Sequence, residues 1–177
     1  MTTISFEESN LCFQFKKGLL PIKFDETNFY TNRFNTLKGS KGVDFIVLND
    51  ETIYLIEVKN FKGHEIENKE RLIANTEKSL ALEVSHKVRD TISCLAGAYK
   101  SGNEILTPYF THFTKRSVEV KVILFLEGKF VNQPLVFRAM ADGMKNRLKW
   151  LTTKVFVENV QLSKGRIYTI SRLSKPS

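Results

Sequence analysis

Two runs of branched and aromatic residues, 43–48 (Val-Asp-Phe-Ile-Val-Leu) and 53–59 (Ile-Tyr-Leu-Ile-Glu-Val-Lys), are separated only by the polar group Asn49-Asp50-Glu51-Thr52. Strand-forming runs joined by so short a polar link predict a β-hairpin. If Asn49 and Thr52 close the loop around Asp50 and Glu51, Asp44 lies opposite Glu57 and the two side chains project to one face. The period of two then puts Ile46, Leu48, Ile53, Leu55 and Lys59 on the Asp44 face, and Phe45, Val47, Tyr54, Ile56 and Val58 on the other. Both faces are apolar, so the hairpin belongs in the middle of a sheet covered on both sides.

The rest of the chain supplies further elements. Residues 4–16 alternate, with Leu11, Phe13 and Phe15 on one side, and predict a strand. Pro21 confines the strand running on to Phe24 to an edge or an end, and 29–34 reads as a short helix. The clearest helix spans 76–100, with Leu80, Val84, Val88, Thr91, Ile92, Leu95, Ala98 and Tyr99 on its apolar side and Glu83 and Lys87 at the margin. Residues 107–116 read as a loop that interleaves Tyr109, Phe110 and Phe113 with Lys115 and Arg116, either to stack bases or to fold inward over the sheet. Residues 118–126 predict a strand beside the Glu57 strand, reached by a helical crossover. Pro134 opens an amphipathic helix to Leu151. Two strands at 154–158 and 166–172 flank a Ser163-Lys164-Gly165 turn, and 175–177 reads as a frayed end. This order gives one α/β domain with a mixed sheet.

Composition narrows the function without choosing it. The chain of 177 residues suffices for one core, and its apolar and charged fractions are those of a soluble protein. The longest apolar run, 122–126, is too short to cross a bilayer. No basic stretch followed by an apolar one opens the chain, so the expectation is a cytoplasmic protein without a membrane partner. Cys12, Cys94, His64, His86 and His112 are not spaced as a zinc site, and both cysteines read as core or near-core thiols. A formal charge of +8 agrees with a polyanionic partner.

Chemistry concentrates on the hairpin. Two carboxylates on opposed strand positions, about 4.5–5.5 Å apart at their β-carbons, repel each other unless a cation lies between them. Oxygen ligands of this kind suit magnesium or manganese. Asp44, twelve residues, then Glu57-Val58-Lys59 resembles the active-site signature of the PD-(D/E)XK nuclease superfamily. More narrowly, 41–46 and 54–61 look like a group of small bacterial proteins within it. Val43 stands where the signature has proline.

The resemblance implies a restriction-endonuclease-like fold, a central mixed sheet flanked by helices on both faces. Its core would occupy about 20–127, with the helix and strands of 134–172 as an extension. It implies that Asp44 and Glu57, with the carbonyl of Val58, hold one or two Mg2+ (or Mn2+) ions, and that Lys59 orients the attacking water or contacts the phosphate. A further acidic residue from upstream would complete the site; Glu26 is favoured, with Asp25, Glu7 and Glu8 as the other candidates. The long helix would lend Lys87. Lys41, Lys62, Lys115 and Arg116 are the expected nucleic-acid contacts, and His64 lies in a solvated loop after the hairpin. The expected function is metal-dependent hydrolysis of phosphodiesters, with DNA the favoured partner and a homodimer among the open oligomeric states. The alternatives are a non-cleaving nucleic-acid-binding module and a protein-interaction subunit on the same fold.

Overall fold

The computed structural model describes residues 3–73, 75–163 and 165–173. Five strands form the central sheet: β3 (Leu20–Lys23), β4 (Phe45–Leu48), β5 (Thr52–Asn60), β6 (Glu119–Glu127) and β7 (Val155–Glu158), adjacent in that order. β3, β4 and β5 run antiparallel, whereas β6 and β7 are each parallel to the strand before them. The crossovers supply the helices, as parallel neighbours require. α1 (Leu80–Lys100) and α2 (Thr107–Phe113) lie between β5 and β6, and α3 (Gln133–Leu148) between β6 and β7.

The hairpin register is the expected one: Phe45 pairs with Ile56 and Leu48 with Ile53, which sets Asp44 opposite Glu57. Asn49 builds the turn, its Oδ1 accepting from the N–H groups of Glu51 and Thr52. Ile46, Leu48, Ile53 and Leu55 pack with the helices, while Phe45, Val47, Ile56 and Val58 enter a separate core on the other face.

What covers that second face departs from the expectation of helices on both sides. A three-stranded antiparallel sheet lies there, built from β1 (Ile4–Glu8), β2 (Leu11–Phe15) and β8 (Tyr168–Arg172). Phe13 anchors it, with its ring centroid 5.3 Å from those of Phe45, Phe125 and Tyr168. An apolar strand face demands a cover but does not specify a helix or a sheet. The single strand expected over 4–16 is a hairpin, because Ser9 and Asn10 adopt φ of 53° and 63°, as a two-residue primed turn requires. The segment 134–172 is likewise no appendage: β7 extends the central sheet and β8 completes the second one.

Three smaller differences have local causes. α1 starts at Leu80 rather than Thr76, because Ser79 Oγ accepts from the Ala81 N–H and caps the helix there. Residues 107–113 are helical, and the aromatics turn inward: Tyr109 is buried and Phe110 and Phe113 pack against the core. The short helix at 29–34 is a five-residue π-type turn, Tyr30–Phe34, preceded by a 3₁₀ turn at Phe24–Glu26. Lys164 of the expected turn and residues 175–177 lie outside the described residues.

The approach to Asp44 is tightly held. Phe24 donates its N–H to the Asp44 carbonyl at 2.8 Å, Lys41 N–H donates to Asp90 Oδ2, and Val43 N–H donates to Thr91 Oγ1. Between them, Gly42 has no room for a side chain: a β-carbon would sit 2.7 Å from Phe24 Cε1 and 2.9 Å from Tyr30 Cε2. Gly42→Ala should therefore cost about 1–3 kcal/mol through overpacking, measurable as a lower urea midpoint with an unchanged slope.

Candidate functional site

The site grows out of the β4–β5 register. Asp44 is the residue before β4 and is 6% exposed; Glu57, within β5, is 0% exposed. Asp44 Oδ2 accepts from the Val58 N–H at 2.6 Å, so the strand that carries Glu57 also fixes the opposing carboxylate. Lys87, which α1 turns toward the sheet, sets its ammonium 2.6 Å from Glu57 Oε1 and 3.7 Å from Asp44 Oδ1. Lys59 approaches the same Glu57 oxygen at 2.8 Å and Glu83 Oε1 at 3.3 Å. Glu83 Oε2 in turn holds Arg71 at 2.6 Å. The result is a chain of alternating charge: Asp44, Lys87, Glu57, Lys59, Glu83, Arg71.

On the other side of Asp44, three carboxylates converge. Glu8, Asp25 and Asp44 each direct a carboxylate oxygen to one place, all within 4.8 Å of one another. Glu8 arrives from the end of β1, and Asp25 from the 3₁₀ turn that follows β3. Lys23 steadies the approach, 3.2 Å from Glu8 and 2.6 Å from Glu26.

Two of these carboxyls, Asp44 and Asp25, are held above the usual carboxylate range. Burial first, then the charge of Glu57, pushes Asp44 up to about 8 against the partial relief given by Lys87 and the Val58 N–H. Burial, then Glu8, pushes Asp25 up to about 6. For Lys59, burial pulls downward, but Glu57 and Glu83 outweigh it and raise the ammonium to about 12. Burial likewise works against the Glu83 carboxylate, and Lys59 and Arg71 overcome it and hold that group below its usual value.

The residues fit a divalent cation. Asp25 Oδ1 and Glu57 Oε2 are buried oxygens without a hydrogen-bond partner among the described residues, and a buried unpaired carboxylate oxygen is costly. Three converging carboxylates meet the demand of magnesium or manganese for hard oxygen ligands. Glu8, Asp25 and Asp44 would form the primary group, with Glu57 on the strand position opposite Asp44.

The expected site residues divide accordingly. Asp44, Glu57, Lys59 and Lys87 are brought together. Glu26 is not: its side chain is 66% exposed and paired with Lys23, so Asp25 and Glu8 replace it, while Glu7 stays outside the converging group. Val58 touches the site through its N–H to Asp44. Lys41 and Lys62 lie on segments that adjoin the site. Lys115 and Arg116 do not, because they precede the start of β6, where Glu119 pairs with Thr52; five residues of strand, roughly 17 Å, separate that end from Glu57. His64 is exposed beside Glu67. Sequence reasoning missed Arg71, whose pairing with Glu83 had no local signal, and the Asp90 and Thr91 bonds to the approach segment.

The comparisons with known proteins are sparse. A family model described as "Family of unknown function (DUF6661)" matches residues 27–172. The chain is 26% identical over 174 residues to a protein of Neisseria meningitidis serogroup A named cysteine–tRNA ligase, covering 84% of this chain. It spans only 25% of that relative's length. No solved structure matches. Among the described residues, no helix is long and apolar enough to cross a membrane.

The raised carboxylates give the metal-free protein a defined pH response. Between their ordinary values and their values in the fold, Asp44 and Asp25 bind more protons folded than unfolded, so stability falls as pH rises from about 4 to 8. Asp44→Asn, which keeps an oxygen for the Val58 N–H, should flatten the upper part of that decline. Urea unfolding in EDTA at a series of pH values reads this directly, and added Mn2+ should stabilise the wild type most at the alkaline end.

Proposed function

We propose that this chain, which belongs to the family of unknown function DUF6661 by the match over most of its length, is a metal-dependent nuclease hydrolysing phosphodiesters, with DNA the favoured substrate. The observation that carries the reading is the opposed pair Asp44 and Glu57, bound by Lys87 and Lys59, beside the converging oxygens of Glu8 and Asp25. A binding module gains nothing from four carboxylates aimed at a phosphate. A hydrolase that needs a cation does.

Glu8, Asp25 and Asp44 would hold the ion, and Glu57 Oε2 is the further oxygen available to it. A divalent ion supplies a more acidic bound water and a counter-charge for the phosphate in the transition state. Asp44 is built to respond to such an ion, since a carboxyl held at about 8 ionises when a cation replaces its proton. Lys59 acts as a cation, because an ammonium raised to about 12 takes no proton from water at neutral pH; it stabilises hydroxide or a phosphate oxygen. Lys87 keeps Glu57 and Asp44 from repelling each other before the ion arrives.

Calorimetric titration with Mg2+ and Mn2+, on the wild type and on Asp44→Asn, tests the first half of this reading. Cleavage of labelled DNA and RNA tests the second, and tRNA belongs in the panel because the similar Neisseria protein is named as a tRNA ligase. Metal binding should be lost in Asp44→Asn. Cleavage should fall by about 10²- to 10³-fold in Lys59→Met. A wild type that binds nucleic acid but neither binds metal nor cleaves would make the chain a non-cleaving binding module.

A further inference from the structure

The charge chain that begins at Asp44 ends at Arg71, and Arg71 does not end in bulk solvent. It lines a cleft of about 370 Å³ together with Lys41, Glu77, Lys78, Glu83 and His86. One wall is therefore the outer flank of α1, and another is the approach segment that leads into Asp44. The cleft is joined to the candidate catalytic group by a single carboxylate, since Glu83 holds Arg71 on Oε2 at 2.6 Å and Lys59 on Oε1 at 3.3 Å.

The basic groups of this cleft are unequally satisfied. Lys78 is paired with Glu70 at 2.9 Å. Lys41 has no carboxylate partner for its ammonium among the described residues, although its backbone N–H is fixed on Asp90; the side chain is thus anchored at the root and unpaired at the tip. Arg71 is oriented rather than mobile. Its guanidinium lies 5.1 Å from the centre of the Phe61 ring, and it also donates to Asn68 Oδ1 at 2.7 Å. Its two terminal nitrogens each make one bond, Nη1 to Asn68 and Nη2 to Glu83, so of its five N–H groups three are left for an incoming acceptor.

We propose that this cleft is a phosphate subsite for the substrate strand, in which Arg71 and Lys41 grip a backbone phosphate adjacent to the one under attack. The inference rests on the nuclease reading for its substrate class and goes beyond it by assigning residues that touch neither the metal group nor the scissile bond. Lys59 and Arg71 share one carboxylate, so two anions seated on them are neighbours along one strand. An anion on Arg71 competes with Glu83, and the carboxylate it frees is left wholly to Lys59. Occupation of the subsite therefore tightens the hold on the lysine that faces the reaction.

The test uses a short fluorescein-labelled deoxyoligonucleotide in EDTA, where no cleavage occurs, and measures affinity by anisotropy at several salt concentrations. Removing one cationic grip on a phosphate reduces the slope of log affinity against log salt by about 0.7 for a single strand. Lys41→Ala should lower the slope by about one such step and Arg71→Ala/Lys41→Ala by about two, with affinity down about tenfold or more. Arg71→Lys should recover part of the affinity but not all, since an ammonium lacks the fork. Lys41→Ala breaks no ion pair, so its result stands even if Arg71→Ala disturbs the segment around it. Unchanged slopes in all variants overturn the subsite while leaving cleavage by the wild type, and hence the nuclease reading, intact. Smaller slopes in the variants of a wild type that never cleaves with Mg2+ support the subsite and overturn the catalytic reading; no binding by the wild type in EDTA overturns the subsite alone, since cleavage with Mg2+ tests the nuclease reading separately.

Discussion

A 2.6 Å hydrogen bond from the Val58 N–H to Asp44 Oδ2 joins the two strands of the central hairpin through a side chain, in a place water hardly reaches. It fixes one carboxylate relative to the residue next to the other. Because Val58 points its own side chain into the opposite core, the bond also ties the site to the packing of both faces. Asp44 can stay buried only with such support, since an isolated carboxylate transferred into this environment would cost several kcal/mol or remain protonated. The elevated proton affinity of Asp44 is what remains of that cost. It is the quantity a cation would remove.

Around this bond the ionic groups alternate in sign, so that each buried charge of the chain has an opposite neighbour. Lys87 serves two carboxylates, Glu57 serves two ammoniums, and Glu83 serves Lys59 and Arg71. Such pairs are weak in energy at the exposed end of the chain and stronger inside. Their main effect is geometric: removing any member leaves its neighbours to repack on each other. Glu83, for instance, keeps Lys59 from being held by Glu57 alone.

Much of the hairpin was legible in the sequence. Its register followed from the length of the polar link, and its two-sided apolar pattern required a central position. Lys87 was legible as well, because the helical period placed it at the sheet-facing margin of α1. Glu26 was the wrong choice over Asp25, since adjacent residues in a 3₁₀ turn point in different directions and nothing local says which one turns inward. Glu8 was among the upstream candidates, but ranking it above Glu7 required recognising Ser9-Asn10 as a turn, and neither residue is the glycine that usually marks one. The residue before Asp44 is likewise set by a bond the sequence does not announce: the Val43 N–H donates to Thr91 Oγ1 at 3.0 Å, which a proline at that position could not do.

The small sheet that covers the second face is assembled from residues 4–15 and 168–172, the early and late parts of the described chain. During synthesis β1 and β2 leave the ribosome long before β8 exists; their aromatic face meets Phe45 and Phe125 of the central sheet, but one edge of β2 has no strand to pair with until residues 168–172 have emerged. Closing a loop of that length is entropically slow. Glu8 rides on the same sheet. The sheet that β8 closes thus carries the third of the converging carboxylates, so the early and the late parts of the described chain both bear on the place where Glu8 meets Asp25 and Asp44.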